Sequence, residues 1–273
     1  LTAIHAMGDI WAMGATPQVA LAQVILPLLS PTLQARTLAE VMEAAAEVFA
    51  KAGADVVGGH TSQGAELTLG FTVTGLAQQV LTKAGAKDGD ALILTKPLGS
   101  GTILAAEMAM AQVPPLMLGE VVTACFAQML RPLAQAAEIL APQAHAMTDV
   151  TGFGLAGHGL EMARGAKASL RLNWAQVPLL QDVEQLAAQG FITGASGRNW
   201  AGYGDEVALA SHITPVQQAL LSDPQTSGGL LVSCAPAALD QVMAVFARHG
   251  FGDAAVVGSM QARAPGAALL QVR

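Results

Sequence analysis

The chain has 273 residues, of which 52% are hydrophobic and only 12% are charged, and its formal net charge is −7. Its 13 lysines and arginines stand mostly singly along the sequence, so we expect no nucleic acid among its partners. No apolar run reaches the roughly 18 residues of a membrane-spanning helix, and no secretion signal is evident, so we expect no membrane association and a cytoplasmic protein.

The first part of the chain predicts a mixed α and β region. Its expected elements are helices at 1–13 and 31–51 and strands at 19–26, 54–57 and 67–75. Polar and glycine-rich residues then gather at 83–90, and we place a domain boundary there. The predicted domains are residues 1–84 and residues 85–273.

The second part also alternates between helical and strand patterns. We expect helices at 102–111, 118–140, 155–163 and 236–249, and strands at 91–96, 169–173, 229–234, 253–259 and 267–272. The predicted fold class is therefore α/β (α+β), with mixed sheets flanked by helices.

Asp9 is an unusual residue for the apolar first helix. Its spacing places it on one face with Thr2 and His5. Burying an unpaired carboxylate costs roughly several kcal/mol, so Asp9 either faces solvent or is held by a cation or by hydrogen-bond donors, and the residues alone favour solvent. The helix pattern begins at Leu1 without a preceding cap, which predicts an N-terminal truncation.

Asp149 gives the strongest chemical signal. It precedes a glycine-punctuated turn, Thr151–Gly154, which opens a predicted helix. Unpaired N–H groups at a helix N-terminus favour phosphate, and an adjacent aspartate can hold Mg²⁺. A plain helix N-cap is the alternative, and the residues alone leave both readings open.

Four other clusters have weaker signals. The loop predicted at Gly58–Thr61 could bind phosphate through backbone amides, or it could be a simple glycine turn. Gly99–Gly101 matches no nucleotide fingerprint and favours a tight turn. Asp223–Gly229 indicates turns, and Arg198–Gly204 indicates a loop.

The two cysteines, Cys125 and Cys234, lie in apolar stretches. This context predicts buried thiols rather than a disulfide, a metal site or an activated nucleophile.

Taken in order, these clusters resemble the selenophosphate synthetase (selenide, water dikinase) family over nearly the whole chain. The two specific strings are Thr148–Leu155 and Asp223–Leu231. The general layout is shared with aminoimidazole ribonucleotide synthetase, thiamine-monophosphate kinase and the hydrogenase-maturation dehydratase. Further matching segments are Asp9–Gly14, Gly58–His60 with Glu66, Val73–Gly75, Leu94–Gly99 and Arg198–Asn199.

The resemblance implies a two-domain aminoimidazole ribonucleotide synthetase-like fold, a homodimer formed through the N-terminal domain, and ATP bound between the domains. It implies the conversion of selenide, ATP and water into selenophosphate, AMP and phosphate. Carried over residue by residue, Asp9 and Asp149 are expected to hold Mg²⁺ on the ATP phosphates. Gly58, Gly59 and His60 are expected to reach ATP.

The resemblance also implies residues that this sequence does not contain. Family members carry a reactive Cys or selenocysteine, a lysine and further aspartates ahead of the position of Leu1. We therefore expect no catalytic residue within this chain and little activity from the chain alone. Lys96 belongs to a different motif and does not replace the missing lysine.

Two alternatives to the enzyme remain open from the sequence. A catalytically dead relative that binds nucleotide or acts as a scaffold is the first. Thiamine-phosphate kinase or purine-pathway chemistry is the second, but it leaves the two specific strings unexplained.

Overall fold

The computed structural model describes residues 1–114 and 116–273, which form two compact units, Leu1–Val80 and Leu81–Arg273. Each unit has its own sheet. Within the described part of the chain, every helix is too short or too polar to cross a bilayer.

The first unit contains two helices and a three-stranded sheet. In chain order its elements are α1 (Thr2–Ala12), β1 (Thr16–Pro27), α2 (Pro31–Lys51), β2 (Asp55–Gly64) and β3 (Thr68–Leu76). The central strand β1 runs parallel to β2 and antiparallel to β3. Helix α2 begins where predicted, because the Ser30 side chain accepts the Leu33 N–H and Pro31 suits the first turn.

One face of this sheet is covered and the other is exposed. Alternate residues of β1, namely Ala22, Val24 and Leu26, form the buried core. The partly buried side chains packed against them are Leu38, Val41, Met42, Val56, Leu69 and Phe71. On the opposite face, Leu21 pairs with Gly58 and Thr72, and its side chain is 48% exposed.

The second unit contains the remaining elements around a seven-stranded sheet. They are β4 (Ala91–Leu94), α3 (Ser100–Met108), α4 (Leu118–Leu130), α5 (Ala134–Leu140), β5 (Ala144–Asp149), α6 (Gly154–Ala166), β6 (Ser169–Leu172), α7 (Val183–Ala188), α8 (Gly194–Tyr203), β7 (Val207–Leu209), α9 (Pro215–Leu221), β8 (Leu230–Cys234), α10 (Leu239–Arg248), β9 (Ala255–Gln261) and β10 (Leu270–Val272). Short 3₁₀ turns lie at Lys83–Gly85, Trp174–Gln176, Gly204–Glu206 and Pro236–Ala238.

The sheet of the second unit is mixed, as the sequence predicted. Its strand order is β5-β8-β4-β9-β6-β10-β7, antiparallel from β5 to β6 and parallel from β6 through β10 to β7. Every residue of β4 and β8 is buried, as expected for strands covered on both faces.

Two predicted elements of the second unit differ in kind from the structure. The single helix expected at 118–140 is interrupted, because Pro132 disfavours a helical residue before it and Arg131 adopts an extended conformation. The loop expected at Arg198–Gly204 lies mostly within α8, whose first turn is capped by the Thr193 side chain.

Gly59 of β2 pairs with Ala22 of β1, and this contact generates a prediction. A Cβ atom at Gly59 would lie 2.0 Å from the carbonyl oxygen of Ala22, and the backbone cannot move away without breaking the strand pairing. We expect Gly59→Ala to lower the free energy of unfolding of the first unit by roughly 3 kcal/mol, as overpacking does. Amide hydrogen exchange in β1 and β2 measures the loss.

Gly58→Ala is the matched control. A Cβ atom there would meet Leu21 at 3.5 Å, an ordinary contact. Equal acceleration of exchange in both variants would contradict the steric explanation.

Candidate functional site

Asp149 lies at the end of β5 and is 6% exposed. The next residue, Val150, donates its N–H to the carbonyl of Gly229 on the segment leading into β8, at 2.8 Å. The chain then turns through Thr151–Phe153 into α6. The structure thus places a buried carboxylate directly before a turn and a 13-residue helix, in the order that the sequence predicted.

This turn is held by its own backbone and by α8. The Gly154 N–H donates to the Thr151 carbonyl at 3.0 Å. Asn199 donates its side-chain amide to the Gly152 carbonyl at 2.8 Å, and the Tyr203 hydroxyl donates to the Phe153 carbonyl at 2.7 Å. The residues predicted as a loop around Arg198 therefore support the turn from a helix.

The first turn of α6 has no side-chain cap. Its N-cap residue, Phe153, provides no side-chain hydrogen bond. Gly154 begins the helix with φ of +68°, and a Cβ atom there would lie 2.7 Å from the carbonyl oxygen of Leu221. Glycine is required at this position, because the turn is both left-handed and closely packed.

The glycine turn before α3 is different, because protein side chains already occupy it. Gln225 Oε1 accepts the N–H groups of Gly99 and Ser100 at 3.0 and 3.2 Å. Asp223 Oδ2 accepts the Thr102 N–H at 3.1 Å. A Cβ atom at Gly101 would lie 2.5 Å from Asp223 Oδ1, so the approach is close. The tight-turn reading of Gly99–Gly101 therefore fits better than a phosphate loop.

The same segment reaches the α6 turn. The Gln225 N–H donates to the Thr151 carbonyl at 2.9 Å. Asp223 is fully buried, and burial raises the pKa of its carboxyl to about 6 even though the hydrogen bonds from Thr102, Gln225 and Gly101 lower it. The string Asp223–Gly229 thus joins the α3 turn to the α6 turn.

Lys96 is a buried lysine two residues after the end of β4. Its Nζ donates to the carbonyls of Arg131 and Ser227 at 2.6 and 2.8 Å. Burial, and then the charge of Arg131, lower the pKa of Lys96 to about 7. Arg131 itself stacks on the Phe251 ring with its guanidinium carbon 3.7 Å from the ring centre. The break between α4 and α5 therefore provides, at Arg131, one of the two carbonyls that Lys96 binds.

The predicted residues of the first unit lie on exposed surfaces. Asp9 is exposed on α1, one helical turn from His5, as the residues alone favoured, so its carboxylate carries no burial cost in this chain. The prediction of a loop at Gly58–Thr61 is wrong, because these residues lie within β2 and pair with β1. Two adjacent glycines resembled a turn, but the pairing that makes them a strand is with residues 21–24.

The donors around Asp9 and Asp149 fit magnesium only with help from a ligand. In residues 1–114 and 116–273, no three His, Cys, Asp or Glu side chains cluster closely enough to hold a metal ion. Magnesium is commonly bound through one or two carboxylates with phosphate oxygens and water completing its shell. Single aspartates therefore suit a nucleotide-bound ion rather than a cage made by protein alone.

Both cysteines are buried and free of disulfides, as predicted. Burial raises the pKa of each thiol to about 11, with smaller contributions from Asp223 for Cys125 and from Asp90 for Cys234. Neither thiol has the lowered pKa of a reactive nucleophile.

Comparison with known proteins identifies the family. The protein named selenide, water dikinase from Pseudomonas straminea is 47% identical over 267 residues, which cover 97% of this chain and 73% of the relative. The chain belongs to the selenide, water dikinase family. The family members from Burkholderia ambifaria (strain MC40-6) and Rhizobium meliloti (strain 1021) are 45% and 42% identical, covering 95% and 100% of this chain and 72% and 76% of theirs. The name of these relatives describes a kinase, and the family is therefore a family of enzymes.

Family models and solved structures agree on the fold. The model "AIR synthase related protein, N-terminal domain" matches residues 1–77, and the corresponding C-terminal domain matches residues 87–270. The HypE-HypF complex is similar with a TM-score of 0.73 and 15% identity, covering 99% of this chain and 80% of that one. AaThiL complexed with AMPPCP and TMP has a TM-score of 0.63 and 17% identity, covering 98% and 77%. The predicted fold class is confirmed.

Sequence reasoning missed the supporting roles of Lys96, Asp223 and Gln225. Their hydrogen-bond partners lie far along the chain, with 121 residues separating Asp223 from Thr102 and 131 separating Lys96 from Ser227. Local patterns carry no signal for such contacts. A lysine at the end of an otherwise largely apolar predicted strand was the one available hint.

Lys96 generates a prediction about pH. Because its folded-state pKa is lowered to about 7, the unfolded chain binds more protons between pH 7 and about pH 10.5. The contribution of Lys96 to stability therefore rises with pH across this window, by at most about 1.4 kcal/mol per pH unit. Urea denaturation at pH 7 and pH 9 should show a smaller gain in stability for Lys96→Met than for the wild type.

Lys87→Met, at an exposed position of the same unit, is the control. An unchanged pH dependence in Lys96→Met would contradict a buried, partly neutral Lys96.

Proposed function

We propose that this chain is the nucleotide-binding body of an enzyme that makes selenophosphate. The reaction consumes selenide, ATP and water and yields selenophosphate, AMP and phosphate. The identity of 47% to a protein named selenide, water dikinase carries the proposal. In this proposal residues 1–84 belong to the N-terminal ATP-binding and dimerisation domain, and residues 85–273 are the C-terminal domain.

The proposed roles follow the chemistry of each position. Asp149 and Asp9 bind Mg²⁺ that accompanies the ATP phosphates, and Mg²⁺ neutralises charge that develops during phosphoryl transfer. The backbone donors in the first turn of α6 favour the same phosphate group. The resemblance to AaThiL complexed with AMPPCP, an ATP analogue, supports nucleotide binding by this fold.

Gly58, Gly59 and His60 are proposed to contact the nucleotide from an exposed strand rather than from a loop. All three are exposed on β2, which lies at the edge of its sheet. An edge strand leaves alternate N–H groups unpaired, so it can still offer backbone donors to a phosphate. The His60 side chain shares the exposed face with Leu21.

The aspartates generate the central test. We expect Asp149→Asn to abolish Mg²⁺-dependent binding of a non-hydrolysable ATP analogue, and Asp9→Asn to weaken it at least tenfold, because a neutral amide is a poor magnesium ligand. Isothermal titration with and without Mg²⁺ measures both effects. Asp205→Asn and Asp55→Asn, at exposed positions of the two units, are the controls. Unchanged binding in both aspartate variants would refute the metal assignment.

The reaction itself is measured as selenide-dependent formation of AMP. Mg²⁺-dependent nucleotide binding without AMP formation would favour the scaffold alternative.

We also propose that the exposed sheet face of the first unit pairs two copies of the chain. Val19, Leu21, Val57 and Leu76 expose 37%, 48%, 59% and 69% of their surface. Such apolar exposure on one small sheet is typical of an association surface.

Free, buried thiols accord with the reducing cytoplasm, where we propose that the protein works.

Leu21→Lys tests this pairing. A lysine on the shared face introduces like charges on both copies, so we expect at least a tenfold weaker dimer in sedimentation velocity. Leu33→Lys is the matched control, because Leu33 is also 48% exposed but lies on α2. A wild-type chain that sediments as a monomer at all concentrations would refute the proposed homodimer.

A further inference from the structure

A row of polar side chains runs along α6 to the turn that follows Asp149. His158 is 6% exposed, and its Nε2 lies 3.3 Å from the Thr151 hydroxyl oxygen. Its Nδ1 lies 3.3 Å from Glu161 Oε2, one helical turn further along. Lys83 Nζ lies 2.5 Å from the same carboxylate oxygen. The four residues thus form a continuous chain of polar contacts that ends at Thr151.

The order of charges along this row determines which ring nitrogen of His158 holds the proton. The negative charge of Glu161, 3.3 Å from Nδ1, attracts a proton, so Glu161 favours the tautomer that has its proton on Nδ1. In a neutral imidazole Nε2 is then an acceptor, and the Thr151 hydroxyl is its donor. Lys83 pairs with the same Glu161 carboxylate and holds it at this end of the row.

The consequence reaches the turn itself. The Thr151 carbonyl is already engaged by the N–H groups of Gly154 and Gln225. Its hydroxyl proton is directed to His158, so the oxygen lone pairs are left to accept from another donor. Thr151 is partly exposed and lies two residues after Asp149.

We propose that His158 is a positioning residue that aims the Thr151 hydroxyl oxygen as a hydrogen-bond acceptor at the nucleotide site. Glu161 sets the His158 tautomer, His158 Nε2 accepts the hydrogen bond from the Thr151 hydroxyl, and the Thr151 oxygen receives a hydrogen bond from water that would hydrate a bound Mg²⁺–nucleotide. The step from Thr151 to the nucleotide rests on the proposed function, whereas the His158 tautomer does not. Positioning is the main demand that phosphoryl transfer makes on a protein, so a fixed acceptor here contributes directly.

The first arm of the test needs no nucleotide and no variant. The chain has six histidines, and ¹⁵N-labelled histidine side chains report their tautomers by NMR. We expect His158 to be neutral with its proton on Nδ1 near pH 7.5, and to lose this preference in Glu161→Ala. Glu184→Ala, at an exposed position on α7, is the control. A proton on Nε2, or on both nitrogens, in the wild type would overturn the proposal.

The second arm measures Mg²⁺-dependent binding of the ATP analogue by titration. Thr151→Val removes the hydroxyl at nearly constant shape, and we expect binding weaker by about two- to tenfold, as for the loss of one hydrogen bond. Thr151→Ser should restore it, and Glu161→Ala should add little in the Thr151→Val background because both act through one contact. Thr123→Val, an exposed threonine on α4, is the control.

The outcomes separate this proposal from the proposed function. Equal binding by Thr151→Val and Thr151→Ser, or additive effects with Glu161→Ala, would overturn the positioning role while leaving the nucleotide site in place. A wild-type chain that binds no Mg²⁺–nucleotide would overturn the proposed function, and the tautomer measurement would still decide the role of His158.

Discussion

The second unit depends on how the buried segment Asp223–Gly229 satisfies backbone groups on two separate turns. Gln225 accepts N–H groups before α3 and donates its own N–H to Thr151, while Asp223 accepts from Thr102. A buried N–H without a partner costs about 1–3 kcal/mol, so removing this segment would destabilise both turns together. The position of the turn after Asp149 is therefore set by the distant segment Asp223–Gly229 as well as by its own local sequence.

The contacts of Asp223–Gly229 also distinguish the glycine turns before α3 and α6, which look alike in the sequence. Both follow a strand and open a helix, but the turn before α3 already has a protein carboxylate and an amide oxygen on its donors. The α6 turn receives its support through carbonyl groups, at Thr151, Gly152 and Phe153. These three carbonyl acceptors are occupied there and no side chain caps the helix, and an uncapped helix N-terminus has the polarity that an anion requires.

Sequence patterns predicted those elements whose determinants are local. Helix α2 was predicted to the residue, because Ser30, Pro31 and the apolar spacing are all contiguous. The same local reasoning also contained the information to divide residues 118–140 at Pro132, where the prediction was wrong. The strand at Gly58–Thr61 was different in kind, since its pairing with β1 depends on residues over thirty positions away. The roles of Asp223 and Lys96 were beyond reach for the same reason.

The exposed sheet face of the first unit places two proposed roles on one surface. Leu21 and His60 project from neighbouring strands to the same side, because Leu21 pairs with Gly58 and residues two apart share a face. A partner copy that covers Leu21 also approaches His60. If His60 contacts nucleotide, the nucleotide must lie at the margin of that association surface, so pairing and binding strengthen each other. Gly59 fits this arrangement because its lack of a side chain lets β2 pair closely with β1, while the other edge of β2 has no neighbouring strand in this sheet.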